Sequence, residues 1–225
     1  MKTLNLSGCT SLTELILTSA TELTDLNVEK CTALTSLDIS TLVNLEVFIA
    51  SRSGIKTLSG DSACLDFSNN TKLMEIYVNH LTTFSTINLT QNTALQTFTY
   101  ANMPMTSIDL SKCVALQNFQ ISGASVTSLD FTNCPELYRI ILEDSSALTE
   151  LNVSGCTKLY DVDLLNSDNV STVNISNAGS AVSVGSYLEG QYLVFTVTSG
   201  SNTETNIQSA SGWDSAVMSI VNSRS

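Results

Sequence analysis

Charge is scarce in this chain. Only 30 of its 225 residues are Asp, Glu, Lys or Arg, and nine of those are basic, giving a formal charge of −12. The nine basic residues are scattered singly, so a groove that tracks phosphates is hard to build and nucleic acid is a poor partner. No apolar run approaches the roughly 20 residues needed to span a bilayer, and Met1-Lys2-Thr3 leads straight into patterned sequence without a secretory apolar core. Membrane insertion is therefore not expected, and no signal peptide is read in the chain as given. Histidine occurs once, at His80, and tryptophan once, at Trp213. With a single imidazole, a Ser-His-Asp or Cys-His arrangement has at most one base. No G-x-S-x-G, H-E-x-x-H, G-x-G-x-x-G or phosphate-binding glycine loop is present. No catalytic residue, metal or cofactor is assigned, and the chain is read as a non-enzyme.

What is abundant is Ser, Thr and Leu, and the leucines recur. Apolar units begin at Leu4, Leu15, Leu26, Leu37, Phe48, Leu65, Ile76, Ile87, Phe98, Ile108, Phe119, Leu129, Ile140, Leu151, Val162 and Val173. Most of the steps between these starts span one 11-residue unit. Two are shorter by one position, and a single 17-residue step runs from Phe48 to Leu65. A second apolar residue follows two positions after each start, as Leu6, Val28, Phe67, Ile121 and Val153 do, which puts both side chains on one face of a short strand. Polar runs such as Ser68-Asn69-Asn70-Thr71 and Ser154-Gly155-Cys156-Thr157 then break the strand. An 11-residue unit cannot bury its apolar face alone, so successive units must wind into stacked coils around a shared core. The pattern predicts a mainly β solenoid of about eight coils, each built from two 11-residue units, over residues 1–178. Residues 179–225 read as a C-terminal β/α cap. Tyr187 to Val197 supplies one or two strands, Ser199 to Gln208 a polar loop, and a short helix from Ser211 carries Trp213, Ala216, Val217, Ile220 and Val221 on one side, with Trp213 over the last coil.

Leu151-Asn-Val-Ser-Gly-Cys-Thr-Lys-Leu159, Ile108-Asp-Leu-Ser-Lys-Cys-Val-Ala-Leu116 and Leu65-Asp-Phe-Ser-Asn-Asn-Thr-Lys-Leu73 resemble the L-x-L-x-x-[N/C]-x-x-L core of leucine-rich repeats. The short period of two units, as from Leu129 to Leu151 to Val173, is similar to that of bacterial surface repeats, notably of Bacteroides-type gut organisms. The resemblance implies protein binding and a cell-surface or secreted parent protein.

Cys113, Cys134 and Cys156 recur at the coil period, and no C-x-x-C pair occurs, which argues against zinc and disulfides. With Asn70 and Asn92 they read as a structural turn ladder that satisfies backbone groups. Cys64, outside that column, is the candidate for a reactive thiol. Cys9 and Cys31 fall on the opposite set of units, so either the coil changes phase near the 17-residue step or the two faces are nearly interchangeable early on. That step is read as an insertion, Ser59 to Leu65, bulging from one edge.

Outward positions sort the two faces. One set repeats Asp66/Ser68, Asn88/Thr90, Asp109/Ser111, Asp130/Thr132, Asn152/Ser154 and Asn174/Ser176, a uniform ladder expected to pair across strands. Asp109 and Asp130 repel at one-strand spacing, leaving weak cation binding open. The other set varies: Tyr77/Asn79, Thr99/Ala101, Gln120/Ser122, Ile141/Glu143 and Asp163/Leu165. Variety is what a recognition surface needs, so Tyr77, Asn79, Thr99, Gln120, Ser122, Ile141 and Glu143 are the candidate ligand-binding surface, for a protein or glycan. Two other readings stand beside it: a spacer or stalk in a longer surface protein, and a glycoside hydrolase using acids near Glu143, which requires a cleft and one raised pKa. The N-terminal unit lacks a polar cap, so missing upstream repeats or a shielding partner are expected there.

Overall fold

The computed structural model describes residues 1–176 and 178, and the elements Leu193–Val197, Asn202–Gln208 and Met218–Asn222. The chain winds into about eight coils of a parallel β-solenoid. Ten strands stack into one continuous parallel sheet, here the long sheet. In order they are Thr3–Asn5, Asp25–Asn27, Val47–Ile49, Glu75–Tyr77, Thr97–Ala101, Asn118–Ser122, Arg139–Glu143, Asp161–Asp163, Leu193–Val197 and Met218–Asn222. Register is kept throughout: Leu4 faces Leu26, Leu26 faces Phe48, Phe48 faces Ile76, and the row continues through Phe98, Phe119, Ile140 and Val162 to Phe195. The strands are short because polar turns interrupt each apolar pair, so the stack gains stability from its neighbours rather than from any one coil.

The opposite face is broken into three small sheets: Ser36–Leu37 with Thr57–Leu58, Cys64–Asp66 with Thr86–Asn88, and Ser128–Asp130 with Glu150–Asn152 and Thr172–Asn174. The units at Leu15 and Ile108 form no strand, although both side chains pack against the core. Between the faces lies one apolar core, with Phe48 against Phe67 at 5.6 Å, Phe98 stacked on Phe119 at 5.6 Å and Phe119 edge-on to Phe131 at 5.0 Å. Such aromatic pairs add to the burial of their large apolar areas.

The 17-residue step is not a simple bulge at one edge. Leu58 pairs with Leu37, Leu65 pairs with Ile87, and both Leu58 and Leu65 are fully buried. Ser59 and Gly60 turn the chain with positive φ, the Leu58 and Asp61 backbones bond to each other at 2.9 and 3.0 Å, and the Asp61 carboxylate accepts the Ala63 and Cys64 N–H groups at 2.7 and 2.9 Å. The insertion thus adds one extra apolar layer to the second face. The long sheet passes this point without a break, so no phase change occurs, and Cys9 and Cys31 belong to the other of the two turns in each coil.

The C-terminal elements differ in order from the sequence expectation. Asn202–Gln208 is a helix where the polar composition reads as a loop, and Met218–Asn222 is a strand where Ile220 and Val221 read as helical. The helix packs on the last coil of the second face. The Thr203 hydroxyl donates to Ser167 O at 2.7 Å and accepts from Val170 N–H at 3.1 Å, the Asn206 amide donates to Val170 O at 2.9 Å, and Ile207 is buried. These bonds satisfy turn groups that the next coil would otherwise take. Ser201-Asn-Thr-Glu204 has the S-x-x-E spacing of a capping box, a signal that composition alone obscures. Met218–Asn222 pairs with Leu193–Val197, whose parallel edge selects β geometry for the β-branched Ile220-Val221 pair. Tyr187 to Tyr192 and Trp213 lie outside the described residues. Among the described residues no helix is long and apolar enough to cross a membrane.

Candidate interaction face

Strand periodicity and register together decide which side chains share the outer surface of the long sheet. Tyr77, Thr99, Gln120 and Ile141 lie side by side in one row, each the direct partner of the next. One step further along the strands, Ser122 lies beside Glu143, in the row that Asn79 enters from the preceding turn. The candidate residues therefore form two adjacent rows. A shallow groove of about 200 Å³ opens among them, lined by Tyr77, Thr99, Gln120 and Ile141 together with Thr97, Asn118 and Arg139, and floored by Phe119. Thr97, Asn118 and Arg139 come from a third row that the sequence pattern does not single out. The signal for it is the same period of two, counted backward from the apolar start instead of forward.

The groove walls are held by local bonds. The Tyr77 hydroxyl donates to Glu75 Oε2 at 3.0 Å, and burial together with that carboxylate pushes the phenol up to about 12. Arg139 Nε donates to Asp161 Oδ2 at 2.9 Å. The Asn118 amide donates to the Tyr138 hydroxyl, and the Tyr138 ring stacks on Tyr160 with centroids 5.8 Å apart and planes within 3°. Below the groove, burial first and then Asp163 and Asp144 raise the Glu143 carboxyl above the usual range. These acids sit on an open sheet surface and not in a cleft, so the condition set for glycosidase chemistry is met only in the raised pKa.

His80 belongs to a column that the sequence does not reveal. The fourth residue after each of the eight long-sheet starts from Leu4 to Val162, Gly8, Lys30, Arg52, His80, Asn102, Gly123, Asp144 and Asn166, has φ between 53 and 79°. Gly, Asn and Asp tolerate this left-handed turn, whereas Lys30, Arg52 and His80 adopt it at a cost of about 1 to 2 kcal/mol each. The His80 ring lies 3.2 Å from the Asn102 amide of the next coil.

The second face has a different logic. Its repeated Asp and Asn side chains do not mainly pair across strands. Each accepts the N–H two residues on: Asp66 from Ser68 at 2.9 Å, Asn88 from Thr90 at 3.2 Å, Asp109 from Ser111 at 2.9 Å, Asp130 from Thr132 at 3.0 Å, Asn152 from Ser154 at 3.1 Å and Asn174 from Ser176 at 3.2 Å. This is the Asx turn, which ends a strand using the residue's own side chain. One cross-strand bond accompanies it, from the Asn88 amide to Asp66 at 3.0 Å. Among the described residues no group of three or more His, Cys, Asp or Glu is placed to hold a metal ion.

The turn column sits under that face. Asn70 Nδ2 donates to Ile39 O and Leu42 O at 2.9 and 3.0 Å, and Asn92 Nδ2 to Phe67 O and Asn70 O at 3.2 and 2.9 Å. Cys134 Sγ points to Leu110 O at 4.0 Å and Cys156 Sγ to Phe131 O at 3.3 Å, and Cys113 is equally buried. Burial pushes the Cys113 and Cys156 thiols up to about 12 and raises Cys134 as well, which leaves them protonated and inert. All six thiols are free. Cys64 is half-buried, and its thiol is raised by burial and by Asp66 and Asp61, while Cys9 is exposed.

No protein-family model matches the chain, and no curated protein matches it. Solved structures do. The internalin InlF of Listeria monocytogenes aligns at a TM-score of 0.51 and 16% identity, covering 79% of this chain and 62% of that one. The functional domain of InlJ from the same organism, which includes a cysteine ladder, aligns at a TM-score of 0.31 and 18% identity, covering 79% of this chain and 54% of that one. This chain thus spans less than two thirds of either protein. At 16% identity the likeness to InlF is one of fold, a leucine-rich-repeat solenoid.

Proposed function

We propose that this chain is a non-enzymatic interaction module of a bacterial surface or secreted protein, and that it docks a partner, a protein before a glycan, on the outer face of its long sheet. The observation that carries this reading is the groove at Tyr77, Thr99, Gln120, Ile141 and Arg139. It lies on the central coils of the long sheet, whose outward side chains vary from coil to coil and close no Asx turn, whereas the second face repeats that one turn device. The fold shared with an internalin supports an interaction role. A stalk in a longer protein is the second reading, favoured by the unbroken ten-strand stack, which makes a stiff rod.

A photo-crosslinking residue placed at Gln120 or, as control, at the equally exposed Asp130 tests the proposal on protein extracts and on candidate cell surfaces. Discrete adducts are expected from position 120 and not from position 130. Equal labelling from both, or none from position 120, counts for the stalk.

A further inference from the structure

Four outward side chains on two neighbouring coils form a checkerboard beside the groove. Ile141 lies in register with Asp163. Two residues on stand Glu143, the last residue of its strand, and Leu165, in the turn that follows Asp161–Asp163, where the Asp144 N–H donates to Leu165 O at 2.9 Å. The two aliphatics occupy one diagonal and the two carboxylates the other, and all four side chains are half-buried. Ile141 is at once a wall of the groove and a corner of this square.

The charges here are only partly balanced within the fold: Arg139 favours the Glu143 carboxylate, but less than burial and the neighbouring acids oppose it. Arg139 is held by Asp161, and Lys158 by Glu136, so both basic side chains of these coils are already engaged. Partial burial first, and then the nearby Asp163 and Asp144, oppose the ionisation of Glu143. A side chain that suits such a square has an apolar stem several methylenes long and a cationic head. Lysine and arginine have this form: their stems lie along apolar surface while the head group reaches charge. The formal charge of −12 also steers cationic partners toward the molecule over a longer range.

We propose that the long sheet docks a protein segment through a lysine or arginine of that segment, the stem lying along Ile141 and Leu165 and the head between Glu143 and Asp163. This rests on the docking-face reading above and adds the chemical class of the partner. Charge complementarity selects a basic polypeptide over an acidic or neutral one, and the flanking Tyr77, Gln120 and Asn118 then contact its neighbouring residues.

The test is peptide display selected on the intact 225-residue chain. Resynthesised peptides are then titrated by fluorescence anisotropy against the wild type, Glu143→Gln/Asp163→Asn and Tyr77→Ala/Gln120→Ala, each at low and high salt. Asn at position 163 keeps the oxygen that accepts the Leu165 N–H at 3.0 Å, and circular dichroism checks the fold of each variant. Selected peptides are expected to share a Lys or Arg, and to lose about tenfold in affinity or more in Glu143→Gln/Asp163→Asn and on replacing that residue by Gln. The wild-type affinity falls with salt, as a charge contact requires. Peptides that carry no basic residue and respond only to Tyr77→Ala/Gln120→Ala overturn the cationic partner but leave the docking face standing. Binding insensitive to both double variants, or no selection at all, overturns both.

Discussion

The two faces of each coil are built from the same 11-residue unit, yet they have diverged in what their outward residues do. On the second face, Asp or Asn recurs because its side chain closes an Asx turn, so the uniformity is explained by backbone need. On the long sheet the equivalent positions of the central coils, Tyr77, Thr99, Gln120 and Ile141, make no such turn and are free to vary. In the central coils the left-handed residue after the long-sheet strand, His80, Asn102, Gly123 or Asp144, turns the chain without an Asx turn, whereas in the coils of Asn5, Asn27 and Asp163 the side chain also accepts the N–H two residues on. Where the central coils of the long sheet are relieved of that duty, their side chains are available for recognition, and the groove lies there.

The sharpest way to break this picture is through the core that both faces share. Phe119 forms the groove floor and touches Phe98 on one side and Phe131, a second-face residue, on the other. Phe119→Ala is expected to cost about 3 to 5 kcal/mol in urea unfolding. Because stacked coils share their stability, the variant should also lose cooperativity, seen as a lowered denaturant slope. A loss below about 1 kcal/mol would mean that the two faces do not share a packed interior.

A smaller effect separates the turn column from the faces above it. Asn92 is fully buried and its amide serves two carbonyls of the coil below. Asn92→Ala leaves both without a donor and should cost about 1 to 3 kcal/mol. Asn92→Cys should cost less, because Cys113, Cys134 and Cys156 occupy the same position in the later coils. If the two substitutions cost the same by thermal unfolding, the thiol gives the column nothing that a methyl group does not.

Much of this is legible in the sequence. The spacing of Leu, Ile, Val and Phe predicts the coil, its period and the residues facing inward, because a shared core demands apolar pairs at every half turn. The candidate face is legible in part: variety at Tyr77, Thr99, Gln120 and Ile141 points to the long sheet, and the structure sets these four in one row. The third row, Thr97, Asn118 and Arg139, escapes notice because it precedes the apolar start and so lies outside the repeat counted from that residue. The left-handed column is hidden because Lys30, Arg52 and His80 carry no glycine signature. At the C-terminus, tertiary pairing with an open sheet edge overrides local pattern at Ile220 and Val221.

The gentlest prediction sharpens the comparison between the two faces most directly. Asp109 on the second face accepts the Ser111 N–H, and the Ser111 side-chain and backbone bonds hold its carboxyl below the usual range. Asp109→Ala should cost about 0.5 to 1 kcal/mol, toward the low end because the group faces solvent, while Asp109→Asn keeps the acceptor and costs less. With the folded pKa depressed, the stabilisation is complete above the ordinary Asp value of about 3.9 and disappears as pH falls through the lower folded value. The gap between wild type and Asp109→Ala should therefore close in acid. Thr99→Ala on the long sheet should stay within about 0.5 kcal/mol of wild type at every pH, since its half-buried side chain carries no charge and closes no Asx turn. If Thr99→Ala proves as costly as Asp109→Ala, the long-sheet face is bound by structure as the other is, and its variety no longer argues for recognition.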